Sequence, residues 1–408
     1  YGSLGNGNID PYSFQELFKI KQSSLVLNGI RPQYTDQPAV IPLGLTWEKS
    51  TTLNLGLDFA FLSNRLQFSG DIYQRKTTDM FTVGMSLPAV FGTDVPKGNY
   101  ADLTTKGFEL SVSWRDQFQL ASKPFNYEVR FTLADYQSTI DKYNNPEKKL
   151  GDDYYYEGMK VGEIWGYETE GFFTSQADID SHAKQPYFYA GATAGQWLPG
   201  DIKFKDLNGD GVIDYGNNTV DNPGDQKIIG NSEPRFIYGI NLSGDWNNFF
   251  VSAFFQGVGK QDWWPGSEAS YFWGMYNRPY NDMPKSHLGN IWTEENPNTY
   301  FPRLRGYSSE EPYAELNLKQ TRYLQNIAYI RMKNIQLGYT LPKSFISKLR
   351  MQNAKVYVSG ENLWSWSPFY KYSKDLDVEA VRGSDRDLTE GTSGNGYSYP
   401  ILKSVSFG

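Results

Sequence analysis

The feature that most constrains this chain is a period-two alternation of apolar and polar residues. From Leu53 the apolar set is Leu53, Leu55, Leu57, Phe59 and Phe61, and Asn54, Gly56, Asp58 and Ala60 lie between them. A tight turn at Ser63-Asn64 follows. Then Leu66, Phe68, Gly70 and Ile72 alternate with Gln67, Ser69, Asp71 and Tyr73. The pattern recurs from Phe108 to Trp114, Tyr127 to Leu133, Phe236 to Leu242, Phe249 to Phe255 and Ile335 to Leu341, and briefly at Val356, Val358, Val405 and Phe407. Such a run fits a strand with one apolar face, so the chain is expected to be all-β. Two architectures share the pattern. A soluble sandwich turns its apolar face inward. An outer-membrane barrel turns it to lipid.

The connections separate the two. Turns are short near 62–65, 116–123 and 246–248, and moderate at 342–353. Between them lie long segments at about 5–46, 78–104, 139–233, 258–326 and 367–398. Short and long connections alternate strictly, as in a barrel with short periplasmic turns and long outer loops. A compact soluble domain rarely needs several such loops. The expected fold is therefore a transmembrane antiparallel β-barrel with about ten strands here, counting a stub at Tyr1–Leu4. The final strand, 400–408, then ends at the periplasmic side. Tyr1 in place of a start Met, with no signal peptide after it, reads as a piece of something longer. Short helices are expected from Ser175 to about His182 and from Pro342 to Arg350.

Composition narrows the function. Among 408 residues, 39 Lys+Arg face 46 Asp+Glu, a net charge of −7, which argues against nucleic acid as a partner. There is no Cys, so disulfides and thiolate chemistry are excluded. His182 and His287 are the only histidines, too few for a multi-histidine metal site. Aromatic residues reach 16%, yet mean hydropathy is −0.58. No apolar run approaches the ~18 residues that mark a membrane helix.

One motif points to a metal. In Asp206-Leu-Asn208-Gly-Asp210-Gly211-Val212-Ile-Asp214, oxygen donors stand at positions 1, 3 and 5, a backbone carbonyl at 7 and Gly at 6. That is the ligand spacing of a Ca²⁺ loop. The expected ligands are Asp206, Asn208, Asp210, Val212 and Asp214. Position 12 is Asn217 rather than Glu, so Asp225 or Asp221 is the candidate for the last ligand. The competing reading is a polar Asx-rich turn without metal. With no flanking helices, a bound Ca²⁺ would be a structural clip.

Two aromatic clusters are candidate ligand or partner contacts: Trp263, Trp264, Trp273 and Tyr276, and Trp364 with Trp366. They fit an interfacial girdle, partner hot spots or stacking on a ligand. The acidic pairs Glu294-Glu295 and Glu310-Glu311 invite a glycosidase reading, but adjacent acids in polar loops are far more often solvated. No P-loop, dinucleotide fingerprint or nucleophile elbow is present. The chain is not expected to be an enzyme.

Several stretches together resemble the C-terminal part of SusC/RagA-type TonB-dependent transporters. They are Tyr1-Gly-Ser-Leu-Gly-Asn6, Leu45-Thr-Trp-Glu48, Asn64 through Tyr73, Lys76-Thr-Thr-Asp79, Val161-Gly-Glu-Ile-Trp-Gly-Tyr167 and Gly200-Asp-Ile-Lys-Phe-Lys-Asp206. Asn296-Pro-Asn-Thr-Tyr-Phe-Pro-Arg303, Tyr329-Ile-Arg-Met-Lys-Asn334 and Leu337-Gly-Tyr-Thr-Leu-Pro342 follow in family order. The resemblance implies the closing part of a 22-stranded barrel in the outer membrane of Bacteroidetes-type bacteria. It implies that residues 1–408 lack the N-terminal plug and first strands. Residues 139–233 become a long extracellular loop carrying the calcium-like loop 206–225.

The implied function is TonB-dependent import of oligosaccharides or peptides with a SusD-like surface lipoprotein as lid, in an oligomeric complex. TonB would act through the absent N-terminal region. Two alternatives remain open at this level. One is a soluble or surface glycan-binding module with structural calcium. The other is a barrel serving as scaffold of an envelope complex.

Overall fold

The computed structural model describes residues 1–6, 15–36, 38, 40–41, 44–84, 90, 95–152, 154–186, 196–267, 269–278, 280, 282–305, 309, 314–381 and 400–408. Ten strands form one antiparallel sheet, and every neighbour in the sheet is also the neighbour in sequence. They are β1 (Gly2–Asn6), β2 (Glu48–Phe61), β3 (Leu66–Val83), β4 (Lys97–Leu120) and β5 (Lys123–Lys142). The meander continues with β6 (Arg235–Trp246), β7 (Phe249–Lys260), β8 (Tyr329–Thr340), β9 (Lys355–Trp366) and β10 (Ser404–Phe407). Strand count, order and direction agree with the sequence expectation. Among the described residues β1 and β10 do not pair with each other. The sheet is a wall of a barrel and does not close on itself.

Register confirms the two faces. Leu55 lies opposite Ile72 and Ile72 opposite Phe108, so apolar residues of successive strands share one face. Phe131 of β5 lies opposite Ile240, and Ala253 of β7 opposite Ile335. That apolar face is uncovered. Leu55 is 70% exposed, Leu57 61% and Leu337 53%. In water such a band would be an aggregation hazard. Around a barrel it is the surface that lipid covers. The soluble-module alternative fails on this point, because a sandwich would bury these side chains.

Three boundaries differ from expectation. The turn expected at 116–123 is only Ala121-Ser122, both in left-handed backbone, because Phe118 and Leu120 continue the alternation. The loop expected at 78–104 is shorter, since β3 runs to Val83 and β4 starts at Lys97. The loop expected at 139–233 begins after Lys142 and ends before Arg235. The long strands carry the wall past the bilayer. A crossing takes about 9–11 residues, and β4 has 24.

The expected short helices form. Gln176–Ser181 is capped by Ser175, whose hydroxyl accepts from the Asp178 amide. Lys343–Ile346 and the turn after it sit in the connection between β8 and β9.

The long connections build a second layer at one end of the sheet, opposite the short turns. Its core is an ordinary buried one, with Ile202, Phe204, Trp273, Tyr276, Leu316 and Tyr323 essentially inaccessible. A smaller cluster of Ile140, Leu150, Tyr156 and Met159 seats the 143–160 segment on the top of β5.

Candidate functional site: a polar inner wall and an aromatic loop assembly

Residues that alternate with the apolar band line the opposite, inner face. Asp58, Gln67, Ser69, Asp71, Glu109, Ser111, Arg115, Glu128 and Arg130 all point there by register. Arg130 pairs with Glu128 at 3.2 Å and Arg115 with the same carboxylate at 3.6 Å. Asn54 donates from Nδ2 to Asp71 at 2.9 Å. Gly56 leaves room for that contact, because a Cβ there would lie 2.5 Å from Asp71 Oδ1. This face presents both charge signs and many hydroxyls and amides. It is a wet surface suited to polar solutes.

Among the described residues, two open cavities lie in the loop assembly. One, of ≈ 520 Å³, is framed by Tyr300 and Tyr372, stacked with ring centroids 4.2 Å apart. Arg322 and Lys371 border it. Arg322 is braced by the Thr299 and Tyr300 carbonyls at 2.6 and 2.9 Å and lies 4.2 Å from the Phe172 ring. The second, of ≈ 380 Å³, has Tyr154, Tyr156, Trp165 and Lys319 in its walls. The Tyr156 hydroxyl donates to Glu163 at 2.5 Å, and burial with this carboxylate partner holds its pKa well above the usual phenol.

A buried polar knot ties the assembly together. Arg305 pairs with Asp201, which also accepts from the Leu198 amide at 2.7 Å. Glu315 is fully buried and accepts from the Ile202 amide at 2.9 Å. Burial and the neighbouring Asp201 push its pKa well above the carboxylate range. Asp201 lies in the Gly200–Asp206 stretch that carries the family resemblance, but no spacing rule joins it to Arg305 and Glu315.

The calcium-like loop folds as a chain of Asx turns. Asp206 accepts from the amides of Gly209 at 2.6 Å and Gly211 at 2.9 Å. Asn208 accepts from the Asp210 amide and Asp210 from the Val212 amide. Gly211 has φ +85°, the left-handed turn that position 6 needs. The extra residues after Asp214 are looped out, so Asp225 returns to it. The Asp225 amide donates to the Asp214 carbonyl at 2.9 Å, and the Asp214 amide donates to Asp225 Oδ2 at 2.9 Å. Asp225 also accepts from the Leu207 amide at 2.6 Å and is fully buried. The structure thus gathers Asp206, Asn208, Asp210, Val212, Asp214 and Asp225 into one loop. The oxygen-only donor set suits a hard cation. Among the described residues no three acidic side chains converge as a metal cage.

The aromatic candidates separate into two groups. Trp263, Trp273 and Tyr276 belong to the loop core, and Trp264 packs on its edge. Trp273 donates to the Pro265 carbonyl at 3.0 Å and Tyr276 to that of Pro302 at 2.5 Å. Rings so enclosed offer no face to a ligand. Trp364 and Trp366 instead stand on the outward face of β9, opposite Met332 and Ile330, and are 47% and 56% exposed. That is the place of an interfacial girdle. His182 caps its helix, with Nε2 2.8 Å from the Phe204 carbonyl. His287 is buried against Phe301 at 4.1 Å, and burial lowers its pKa. Glu294 and Glu295 lie in an exposed turn, whereas Glu310 and Glu311 lie outside the described residues.

Comparison with known proteins supports the fold from a separate direction. No protein-family model matches the chain. TonB-dependent receptor P3 of Formosa agariphila is 27% identical over 430 aligned residues, covering all of this chain and 38% of the relative. TonB-dependent receptor SusC of Bacteroides thetaiotaomicron is 23% identical over 94% of this chain and 35% of its own length. A solved structure of the RagAB peptide transporter superposes with a TM-score of 0.65 at 20% identity, over 90% of this chain and 36% of that one. The chain spans less than two fifths of the length of these relatives.

Proposed function

We propose that this chain, a SusC/RagA-type TonB-dependent transporter segment, is the closing wall of an outer-membrane barrel that imports nutrients too large for porins. The observation that carries this reading is the inverted sheet, apolar outward and polar inward. A barrel of that kind needs lipid outside and a solute path inside. Oligosaccharides or peptides are the substrate classes that suit the mixed polar inner wall and the aromatic cavities. No covalent chemistry is required, and the relatives are named receptors and transporters.

The extracellular loop assembly would receive a SusD-like surface lipoprotein. TonB would drive passage through the barrel. Detergent extraction of the native complex from outer membranes tests the reading. A stoichiometric lipoprotein and a bound glycan or peptide support it. Recovery without detergent rejects the barrel, and co-purification with envelope-assembly proteins alone favours a scaffold.

A structural Ca²⁺ at loop 206–225 belongs to the same proposal, with Asp206, Asn208, Asp210, Asp214, Asp225 and the Val212 carbonyl as ligands. The supporting observation is the all-oxygen loop with its glycine turn. Calorimetric titration of the chelator-treated protein with Ca²⁺ checks it. Heat of binding that disappears in an Asp206→Ala, Asp210→Ala variant is the expected result. Equal heats in both proteins reject it.

A further inference from the structure

The outward face of the wall changes character at its extracellular border. The last apolar outward residues are Leu53 on β2, Ile72 on β3 and Phe108 on β4. Beyond them on the same face stand Lys49, Lys76 and Lys106, four, four and two residues further out. Register fixes their arrangement. Lys76 lies opposite Thr51 on one side and Thr104 on the other, Lys49 opposite Thr78, and Lys106 opposite Gln74. Each lysine is therefore displaced by two residues from the next, the diagonal spacing of about 7–8 Å between neighbouring strands.

The diagonal is not arbitrary. The periplasmic end of the wall steps the same way. The hairpin of β2 and β3 ends at the pair Phe61 and Leu66, in the row of Trp114. The hairpin of β4 and β5 ends six residues lower, at Leu120 and Lys123. Strands of a membrane barrel tilt by about 35–45°, so a line of constant depth runs diagonally across the register. The three lysines lie along such a line, just outside the hydrocarbon edge.

All three are exposed, and none has an ion-pair or hydrogen-bond partner among the described residues. Between them stand Thr51, Thr78, Thr104 and Gln74, which are neutral. The nearest outward acids are engaged. Asp135 pairs with Arg235 at 2.6 Å, Asp141 accepts from Thr104 at 2.5 Å, and Asp102, two residues beyond Thr104 on the same face, accepts from the Asp79 amide at 2.9 Å. Three cations held at one membrane depth, in a chain of net charge −7, call for an anion at that depth.

We propose that the Lys49–Lys76–Lys106 diagonal is a binding site for the phosphate-bearing headgroup of an outer-leaflet lipid. Two ammonium groups flank each phosphate, and the Thr51 and Thr78 hydroxyls donate to its remaining oxygens. The acyl chains lie on the Leu53, Ile72 and Phe108 band directly below. The inference rests on the outward face meeting lipid, as in the function proposed above.

The test uses the full-length protein extracted from its own outer membranes in mild detergent. Lipid phosphorus per protein is measured for wild type, for a Lys49→Gln, Lys76→Gln, Lys106→Gln variant, and for a Lys343→Gln, Lys348→Gln variant at the periplasmic end. The diagonal variant should lose at least about tenfold in affinity for added lipid A, with wild-type and periplasmic variants alike. Equal retention in all three proteins overturns the site. So does wild-type binding that inorganic phosphate displaces as readily as lipid A, because the anion would then be a free one. Membrane fractionation of the same variants separates the two claims. Normal insertion with unchanged lipid content sinks only this site, whereas a soluble wild-type protein sinks the barrel itself.

Discussion

The barrel wall and the loop assembly above it use the same aromatic-rich alphabet in opposite ways. In the wall, Leu55, Leu57 and Ile72 are apolar and exposed, while Asp71, Glu128 and Arg130 form the inner side. In the loops, Trp273, Tyr276 and Tyr323 are fully enclosed and charged residues lie mostly outside. The difference is the solvent each region faces. A strand between lipid and an aqueous lumen has no interior of its own to fill. A loop standing in water must make one, and the apolar face follows the environment of lower polarity in both cases.

Substitutions can break this contrast, and their effects fall in a definite order. Trp273→Ala removes a ring from the centre of the loop core and should cost about 3–5 kcal/mol there. Limited proteolysis of intact membranes should then cut the loops while the β strands stay protected; loss of the strands as well would mean that the two regions share one core. Leu57→Arg puts a charge on the lipid face and should cost ~2–4 kcal/mol near mid-bilayer. Urea titration of the barrel in lipid vesicles measures this, and an unchanged midpoint would mean that Leu57 faces water.

Acid should act on the loops before the wall. His287 is buried and neutral, its pKa lowered chiefly by desolvation from the ordinary 6.5. The unfolded loops take up a proton below pH about 6.5 that the folded ones resist, so this contribution destabilises the loop core as pH falls. His287→Gln should flatten that part of the pH profile, followed by tryptophan fluorescence. A profile identical to wild type would assign the acid sensitivity elsewhere. The smallest effect belongs to the inner wall. Asp58→Leu should shift barrel stability by no more than about 0.5 kcal/mol, the range of ordinary surface changes, and should leave the protein monodisperse in detergent. Aggregation would place Asp58 on an outer, wetted surface.

The wall was legible because its chemistry repeats every second residue. From Leu53 to Phe61 the contrast between faces is high, and the register follows from it. Above the bilayer edge the contrast fades. Residues 97–106 of β4 mix Gly, Asn, Thr and Lys on both faces, since water or protein meets both. Strand and loop then look alike, and alternation alone does not mark where β4 begins. At the lower end Phe118 and Leu120 kept the alternation, and only the expectation of a longer turn hid it.

The loops were legible only where a local rule applies. The Ser175 cap and the Asx turns of Asp206, Asn208 and Asp210 are set by residues within five positions of each other. The core of Ile202, Trp273 and Tyr323 joins segments far apart in the chain, and no periodicity announces it. Hence Trp273 and Tyr276 looked available to a ligand when they are interior. Trp364 and Trp366, on a strand with a known face, were open to a girdle reading from the start. In the knot of Asp201, Arg305 and Glu315, only Asp201 stands in a recognisable stretch, and nothing local ties it to the other two.

The central claim is that odd positions of β2 meet lipid and even positions meet water. The chain contains no Cys, so single cysteines at positions 57 and 58 give clean reporters. Leu57→Cys and Asp58→Cys variants of the full-length protein, in intact outer membranes, can be labelled with a membrane-impermeant charged maleimide and with a lipophilic one. The account predicts that Asp58→Cys reacts with the charged reagent and Leu57→Cys only with the lipophilic one. Equal reaction of both positions with the charged reagent would contradict it.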